Sequence, residues 1–377
     1  MNTSNVDSKP KIRKETKNKI KVDFERTSFK ERFKAKFLTL TFLKKVVWII
    51  VRYILLIGVA YIVLFPFFSK ISSSLMAPSD FNDSMVRLIP KNFSVDIYKA
   101  IFTEQEYMTA FGNTLLLSLS TALIQTFVCS FIAYGFAKFK FKGNKILFAL
   151  VILTMIIPHR TLQLAITNMF ANFDILGIFS FLSGGGISIF GFEYNNEFLS
   201  SINILGNIDS KVFTPDGVRL VNTFWPYIIL SITGLAFKNG LYIFLLRQFF
   251  MGVPDELEES AYIDGSGVFK TFFTIILPIS IPMMITVFLF SFSWCWTDIY
   301  YSKVFFTGNN APLLLTSEIG KELPSSIKDL VPNNISKWQT AIRTTGGLMI
   351  IAPLVVIYLF CQKYLVQGIE RSGLTAD

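Results

Sequence analysis

Six runs of about 20 predominantly apolar residues constrain the fold of this chain more than any other feature. An α-helix of that length rises about 1.5 Å per residue and so crosses the roughly 30 Å hydrocarbon core of a bilayer. Lipid offers no hydrogen-bond partners, so such runs satisfy their backbone groups as helices rather than as open strands. We therefore predict an all-α, polytopic membrane protein, in agreement with a composition that is 52% apolar and includes 40 phenylalanines. The six predicted transmembrane helices cover residues 47–68, 112–136, 146–166, 224–248, 279–300 and 345–366.

Lysine and arginine residues predict the orientation of these helices, because basic flanks are retained on the cytoplasmic side during insertion. Fourteen of them lie in the first 46 residues. Four lysines fill the short link between the second and third helices, namely Lys138, Lys140, Lys142 and Lys145. We therefore expect a basic cytoplasmic N-terminal tail (1–46), a transmembrane domain (47–366) and a cytoplasmic C-terminal tail (367–377).

The formal net charge of +10 could indicate a nucleic-acid partner or an anionic membrane surface. Most of the excess lies in the tail beside the first helix, where lipid headgroups explain it better. Membrane lipid is therefore an expected partner and nucleic acid is not. The three cysteines, Cys129, Cys295 and Cys361, fall inside predicted helices, so we expect no metal site.

A polar cytoplasmic loop at 251–278, between the fourth and fifth predicted helices, has the signals of a short surface helix. Pro254 suits a first helical position, and the four acidic residues among the five that follow favour the positive end of the helix dipole. Gly265 can end the helix in a left-handed conformation. We therefore predict a helix of about two and a half turns from Asp255 to Asp264.

The same loop carries a spaced motif. Glu259-Ser260-Ala261 is followed after three residues by Gly265, and after nine more by Ile275-Ile276-Leu277-Pro278. This resembles the membrane subunits of binding-protein-dependent ABC importers, whose cytoplasmic loop reads Glu-Ala-Ala, three residues, Gly, nine residues and Ile-x-Leu-Pro. Ser260 is the one departure within the motif, and serine is small enough to keep a close approach.

The resemblance implies a type I ABC importer permease whose coupling helix docks in a groove of an ATP-hydrolysing subunit. Leu257, Ala261 and Asp264 share one face of the predicted helix and would present a surface of small residues to that subunit. The expected partners are a second permease subunit, two ABC ATPase subunits and an extracellular solute-binding protein, in the cell membrane of a bacterium. The resemblance assigns the docking to Glu259, Ser260, Ala261, Asp264, Gly265, Leu277 and Pro278.

Further segments are similar to carbohydrate-type permeases of the maltose-permease-G type. They are Asn113-Thr114 through Gly143, the stretch Phe244–Phe250, the triplet Trp296-Thr297-Asp298 and the ending Gln362–Gly368. The resemblance implies a sugar or oligosaccharide substrate. A permease for another solute would share the coupling loop and remains the alternative within this class.

The chain has no nucleotide-binding loop of its own. Its sole Gly-Lys pair, Gly320-Lys321, lacks the earlier glycine and the following Ser or Thr that cradle phosphate and magnesium. We therefore expect a non-catalytic subunit without a cofactor, ATP and magnesium being bound by the partner ATPase. An ion-coupled secondary transporter is the rival from another class, but the predicted helices hold almost no carboxylate near their middle, where such a transporter needs one.

Lys238 lies near the middle of the fourth predicted helix, where an uncompensated charge costs several kcal/mol. Either it faces the translocation path or a second permease, or the helix is broken near Gly240 and the amine reaches a polar region. Trp296 and Asp298 are the other candidates for the path or the permease interface. For Asp298, near an outer helix end, an interfacial anchor or a loop contact is the alternative.

An insertion at about 178–219, predicted to be extracellular, adds about forty residues relative to the family pattern. Apolar and polar residues alternate around 187–194, and Thr214-Pro215-Asp216-Gly217 is a turn signal, so we predict a small hairpin. The insertion could help to seat the solute-binding protein, or it could be a tolerated surface elaboration.

Overall fold

The computed structural model describes residues 11–15, 21–25, 40–77, 79–80, 83, 85–174, 187–189, 192–194, 213–214, 217–236, 238–307, 311–328 and 335–371. The chain forms two compact units, Met1–Ser69 and Lys70–Asp377. In the first unit, β1 (Lys11–Glu15) and β2 (Lys21–Glu25) pair as an antiparallel hairpin within the basic tail. The long helix α1 (Leu40–Ser74) begins in this unit and ends in the second.

The second unit is built mainly from helices, as predicted. A single 3₁₀ turn (His159–Leu162) and a π-helical turn (Phe272–Ile276) interrupt the series. The helices are α2 (Asp96–Glu104), α3 (Tyr107–Lys138), α4 (Asn144–Ile156), α5 (Gln163–Ala171), α6 (Trp225–Ile232), α7 (Asn239–Met251), α8 (Glu256–Ile263), α9 (Val268–Thr271), α10 (Leu277–Trp296), α11 (Tyr300–Phe305), α12 (Leu315–Glu318), α13 (Ser325–Lys328) and α14 (Ile335–Arg371).

Four helical segments of the described chain are long and apolar enough to cross a membrane. A fifth is counted if α4 and the segment His159–Ala171, which are bent by 92° at their junction, form one span. The six continuous spans that the sequence predicts are therefore not confirmed. The four segments are Lys44–Ser74, Tyr107–Lys138, Val268–Trp296 and Trp338–Gly368.

The third predicted span, 146–166, is bent at Pro158. Ile157 has φ −67° and ψ 122°, the extended conformation that a following proline imposes, and Pro158 is itself extended. The 3₁₀ turn that follows is anchored from α11, because the Tyr300 hydroxyl donates to the His159 carbonyl at 2.5 Å. The sequence pattern predicts one continuous helix over 146–166 because the apolar run continues through Pro158.

The fourth predicted span, 224–248, is two helices rather than one. Gly234 ends α6 with φ +73°, and Lys238 precedes α7 with φ +71°. Left-handed backbone is easy for glycine and costs about 1 kcal/mol for lysine, so the surrounding packing must hold it. The structure therefore agrees with the alternative of a broken helix, with the break directly before Asn239-Gly240.

Helix α3 lies at the centre of the second unit and packs against α6, α7 and α10, while α14 packs along α10. Trp296, a candidate for the translocation path, belongs to this core instead. Its side chain is fully buried, and its indole N–H donates to the Ile350 carbonyl of α14 at 2.9 Å. A tryptophan needs a partner for its N–H when it is buried, and α14 supplies it, so Trp296 is a packing residue.

The insertion contains two hairpins, in agreement with the hairpin prediction. The strands β3 (Ile187–Ile189) and β4 (Phe192–Tyr194) pair antiparallel. The strands β5 (Phe213–Thr214) and β6 (Gly217–Val218) also pair antiparallel. The rest of the insertion lies outside the described residues.

Helices α10 and α14 approach closely at Gly368. A Cβ added there would collide with the Thr286 hydroxyl and would lie 3.0 Å from the Pro282 carbonyl oxygen. Gly347, on the same helix, has open space around the corresponding position. Small residues at such crossings let helix backbones pack in a membrane.

We expect Gly368→Ala to destabilise the packing of α10 on α14 by about 1–3 kcal/mol, because the methyl group overpacks the crossing. The matched change Gly347→Ala should leave stability unchanged or raise it, since alanine favours helix over glycine. The measurement is the apparent Tm of each purified variant in detergent. Equal Tm values for the two variants would contradict the close crossing.

Candidate functional site

The predicted surface helix is present as α8, which follows α7 after a four-residue link. Asp255 is its N-cap residue, and Glu256, Glu258 and Glu259 lie in its first turn. These carboxylates stabilise the positive end of the helix dipole. The helix and its two caps cover the predicted range, Asp255 to Asp264.

Gly265 ends α8 in the left-handed conformation that the sequence predicts, with φ +77°. Its N–H donates to the Tyr262 carbonyl at 3.0 Å, and the Ser266 N–H donates to the Ala261 carbonyl at 2.9 Å. This pair of bonds is the Schellman motif that closes a helix C-terminus. A Cβ at Gly265 would meet nothing within 4 Å, so the backbone conformation, not lack of space, favours glycine.

Helix α8 divides into a face that packs on its own chain and a face that is exposed. Glu258 and Ala261 are buried, whereas Leu257 and Ser260 are exposed and Ile263 is 86% exposed. The expectation that Leu257 and Ala261 form one contact surface is therefore corrected, because Ala261 is buried against its own chain. The exposed residues of α8 and its caps are Asp255, Glu256, Leu257, Glu259, Ser260, Tyr262, Ile263 and Asp264.

One lysine ties α8 to the end of α3. The Nζ atom of Lys138 donates to the Val253 carbonyl at 2.6 Å and to the Asp255 carboxylate at 2.5 Å, and lies 3.6 Å from Glu258 Oε1. Its side chain is only 6% exposed. The hydroxyl of Tyr134, one helical turn earlier on α3, donates to Glu258 Oε2 at 3.4 Å. We call these four residues, Tyr134, Lys138, Asp255 and Glu258, the α8 clamp.

The two carboxylates of the α8 clamp differ in their environment. Burial raises the pKa of the Glu258 carboxyl, although Lys138 acts in the opposite direction. The hydrogen bond from Lys138 lowers the pKa of the exposed Asp255. Loss of Lys138 would therefore leave Glu258 buried without its cation, which favours the protonated acid and loosens the attachment of α8.

The chain after Gly265 leads directly into a long helical segment. Helix α9 starts at Val268, the π-helical turn follows it, and α10 continues from Leu277. Pro278 has no N–H for a helical hydrogen bond and lies directly after the π-helical turn, where the regular ladder is already interrupted. Phe272 and Ile276 are fully buried in the turn. Leu277 and Pro278 therefore mark the place where the regular helix α10 begins after the π-helical turn.

Sequence reasoning identified the motif but missed Lys138 and Tyr134. The sequence pattern groups Lys138 with three neighbouring lysines that indicate the orientation of the helices, and nothing in the adjacent sequence distinguishes Lys138 from Lys140. The spacing of Tyr134 and Lys138, one turn apart at the end of an apolar helix, is the signal that could have indicated a shared contact. The partner segment lies more than a hundred residues away, so only the fold brings them together.

Lys238 and Asp298, two of the candidates for the translocation path or the permease interface, line different cavities. Lys238 Nζ is 4.4 Å from the ring centre of Trp294, and Lys238 lines a cavity together with His159 and several apolar residues. The Asp298 carboxylate accepts hydrogen bonds from the Tyr227 hydroxyl at 2.8 Å and from the Ser302 N–H at 3.1 Å. It therefore holds the start of α11, as a loop contact does.

The arrangement is that of a polytopic transport protein: apolar helices, two of them broken, with a short acidic helix fixed at one end. The structure is similar to a chain of a bacterial ABC transporter involved in the import of the acidic polysaccharide alginate. The similarity covers 90% of this chain and 99% of that one, with a TM-score of 0.58 and 17% identity. At this identity the likeness establishes the fold alone.

Several of the relatives that match this chain are named as sugar transport permeases. The galactooligosaccharides transport system permease protein GanQ of Bacillus subtilis is 26% identical, over 88% of this chain and 96% of its own length. The alpha-glucoside transport system permease protein AglG of Rhizobium meliloti is 25% identical over 76% of this chain, which spans 61% of the length of that relative. The arabinooligosaccharides transport system permease protein AraQ of Halalkalibacterium halodurans is 24% identical over 86% of this chain and 97% of its own.

The family model of the binding-protein-dependent transport system inner membrane component matches residues 125–371, well over half of the chain. The chain belongs to this family and is the permease subunit of an ABC importer. The match includes the whole of α8 and the segments on either side of it.

We expect Lys138→Met to release α8 and to loosen the helical backbone of the adjoining α9, whose exposed Lys270 is a tryptic cleavage site. Breaking a buried ion pair costs about 3 kcal/mol, so trypsin should cleave after Lys270 at least about tenfold faster. Lys138→Arg should retain most of the protection, because the guanidinium can donate to both carboxylates. The measurement is the rate at which the fragment that ends at Lys270 appears when the purified protein in detergent is treated with trypsin.

The matched control is Lys140→Met, which removes an exposed lysine two residues away. It should leave cleavage after Lys270 unchanged. Similar acceleration in the two methionine variants would show that Lys138 has no special role.

Proposed function

We propose that this chain is the permease subunit of an ATP-driven importer that translocates a sugar or oligosaccharide delivered by an extracellular solute-binding protein. It pairs with a second permease and two ABC ATPase subunits, which bind ATP and magnesium. Both termini and α8 lie in the cytoplasm, as the distribution of lysine and arginine predicts. The membership of the family and the names of the sugar permeases it resembles support this function.

The observation that carries the ATPase docking is the exposed face of α8. Leu257, Tyr262 and Ile263 are apolar or aromatic and exposed at a site rich in acidic residues, as expected of a surface that another protein covers. Glu259 and Ser260 lie on the same exposed part of the helix. A small apolar contact surrounded by charge is the composition of a specific protein interface.

The contacts on the other side of α8 explain how a push from the ATPase would reach the membrane helices. The α8 clamp fixes the helix start to the end of α3, and Gly265 leads after two residues into α9 and then α10. Movement of α8 therefore displaces α3 and α10 together, and these two helices are also packed against each other. Docking and transmission use opposite faces of one helix of eight residues.

Co-purification tests the docking. The unmodified chain, expressed with its importer partners, should retain an ATPase subunit after gentle solubilisation. Glu259→Lys should lose it, because the charge of an exposed interface residue is reversed, and Gly265→Pro should lose it, because φ near −65° cannot replace the left-handed cap. Glu322→Lys, the same charge change in an exposed loop away from α8, is the control. Retention of the ATPase by both α8 variants would sink the docking assignment.

Ile263 gives an independent test of the apolar contact. Ile263→Asp should weaken ATPase binding at least about tenfold, since it places a charge in the interface. Ile89 is 82% exposed, close to the 86% of Ile263, and lies between the first and second predicted helices, which is the extracellular side if the N-terminal tail is cytoplasmic. Ile89→Asp should therefore leave binding unchanged in the same titration of ATPase subunit onto purified permease. Equal affinity for both variants would place the ATPase contact elsewhere.

A further inference from the structure

The turn between α3 and α4 combines exposed lysines with exposed apolar side chains. Residues 139–145 read Phe-Lys-Phe-Lys-Gly-Asn-Lys and include no acidic residue. Phe141 keeps 44% of its surface exposed. The sequence holds no aspartate or glutamate from residue 107 to residue 173, so any carboxylate near the turn must come from another part of the fold. The exposed lysines are Lys140, Lys142 and Lys145.

The lengths of the adjoining helices place the turn at the surface of the bilayer. Helix α3 has 32 residues and is therefore about 48 Å long, close to the roughly 40–45 Å of a bilayer with its headgroups. The segment Tyr107–Lys138 is one of the four that are long and apolar enough to cross a membrane, and the turn begins directly after it. Exposed apolar side chains return at the start of α4, where Ile146 is 70% exposed. The turn therefore lies at the depth of the lipid headgroups, between two apolar helices.

The backbone of the turn is fixed, so its lysines are held near one another. Gly143 adopts φ +93°, a left-handed conformation that favours glycine. The side-chain amide of Asn144 donates to the Phe139 carbonyl at 2.9 Å and to the Phe136 carbonyl at 3.3 Å. The ring centre of Phe141 lies 6.3 Å from that of Phe136. These contacts tie the turn to the end of α3, so a ligand that binds there has little backbone left to order.

The carboxylates of α8 act on the beginning of this turn. Asp255 accepts a hydrogen bond from Lys138, and this bond, with a smaller effect of the Lys140 charge, lowers the pKa of the Asp255 carboxyl. Among the described residues, Lys142 and Lys145 form no ion pair. Their exposed ammonium groups are therefore available to an anion at the membrane surface.

An anionic phospholipid fits this combination of depth, charge and apolar surface. Its phosphate lies at headgroup depth, and each lysine near an anionic membrane surface strengthens binding about fivefold. Lysine stems can lie along apolar groups while the ammonium stays at the phosphate. Phe141 and Ile146 can contact the acyl chains below the same headgroup. A soluble anion would use the charges alone and leave these apolar side chains without a partner.

We propose that the turn between α3 and α4 is a binding site for anionic phospholipids such as phosphatidylglycerol. The headgroup phosphate pairs with Lys142 and Lys145, and the acyl chains contact Phe141 and Ile146. Because Lys138 of the α8 clamp directly precedes the turn, the lipid anchors the end of α3 to which α8 is tied. This inference goes beyond the proposed function and does not depend on the solute that the importer carries.

Quenching of a local fluorophore tests the site in the full chain. Bimane is attached at Ile146→Cys in a chain whose three native cysteines are replaced. The protein is placed, without an ATPase subunit, in phosphatidylcholine nanodiscs that contain a small fraction of nitroxide-labelled phosphatidylglycerol. A parallel titration uses phosphatidylcholine with the same nitroxide. We expect phosphatidylglycerol to be enriched at the label at least about fivefold over phosphatidylcholine.

The variant Lys142→Gln with Lys145→Gln should lose this preference, so that the two lipids quench equally. Quenching by phosphatidylcholine should stay unchanged, which shows that the label keeps its depth and the chain its fold. The matched control is Lys99→Gln with Lys303→Gln, which removes two exposed lysines of α2 and α11 that form no ion pair within the described chain. The control should retain the preference.

Three results would overturn the proposal. Equal quenching of the unmodified turn by the two lipids would show that the turn does not select anions. A preference that survives the loss of Lys142 and Lys145, or that falls as far in the control, would assign the attraction to the overall charge of the chain. A label that neither lipid quenches would place the turn away from the bilayer and favour a protein partner there. None of these results bears on ATPase docking, so the proposed function would stand or fall separately.

Discussion

The contact on which the cytoplasmic end of this structure depends is the ammonium of Lys138 between α3 and α8. Helix α8 has eight residues, too few to be stable alone, so its position must come from packing. Lys138 supplies it through one carbonyl and two carboxylates, and Tyr134 adds a hydroxyl contact to Glu258. Because these bonds occupy one side of α8, the other side, which carries Leu257, Ser260 and Ile263, is left exposed. Helix α8 can therefore be fixed to α3 on one side while its other side stays available to a partner.

The helix breaks at Pro158 and Lys238 are governed by a different physical constraint, the need to satisfy backbone hydrogen bonds. Helix α4 ends just before the bend at Pro158, and α7 starts directly after Lys238. A continuous helix at either place would satisfy every backbone group in lipid. Such breaks are costly unless they border protein or water, and here cavities and an exposed indole surround them. A permease needs a rigid element where the motor acts and an open, polar element where the solute passes. Helix α10 connects the two regions: it starts shortly after α8 and ends at Trp296, two residues after Trp294.

Much of this organisation could be predicted from the sequence, because the physical signals are local. Four of the six apolar runs, the acidic first turn of α8 and the left-handed Gly265 appear in the structure where the residue pattern indicates them. The pattern left open whether the fourth run is one helix or two, since a hydropathy average does not show that Gly234 and Lys238 adopt left-handed backbone. It also could not show that Ala261 and Trp296 face the protein interior, because burial depends on contacts with α3 and α14. Lys138 was hidden for the same reason, among lysines that share its local sequence but not its partners.

The central claim is that α8 and the end of α3 move as one body when the motor closes. It is tested most directly by spin labels at Glu256→Cys and Lys140→Cys, both exposed positions, in a chain whose three native cysteines are replaced. Distances between the labels are measured by pulsed electron paramagnetic resonance in the assembled importer, without nucleotide and with ATP bound. A single narrow distance distribution that is the same in both states is expected, since the α8 clamp fixes one element to the other. A distance that shifts or broadens on ATP binding would show that α8 moves independently of α3, and would contradict the claim.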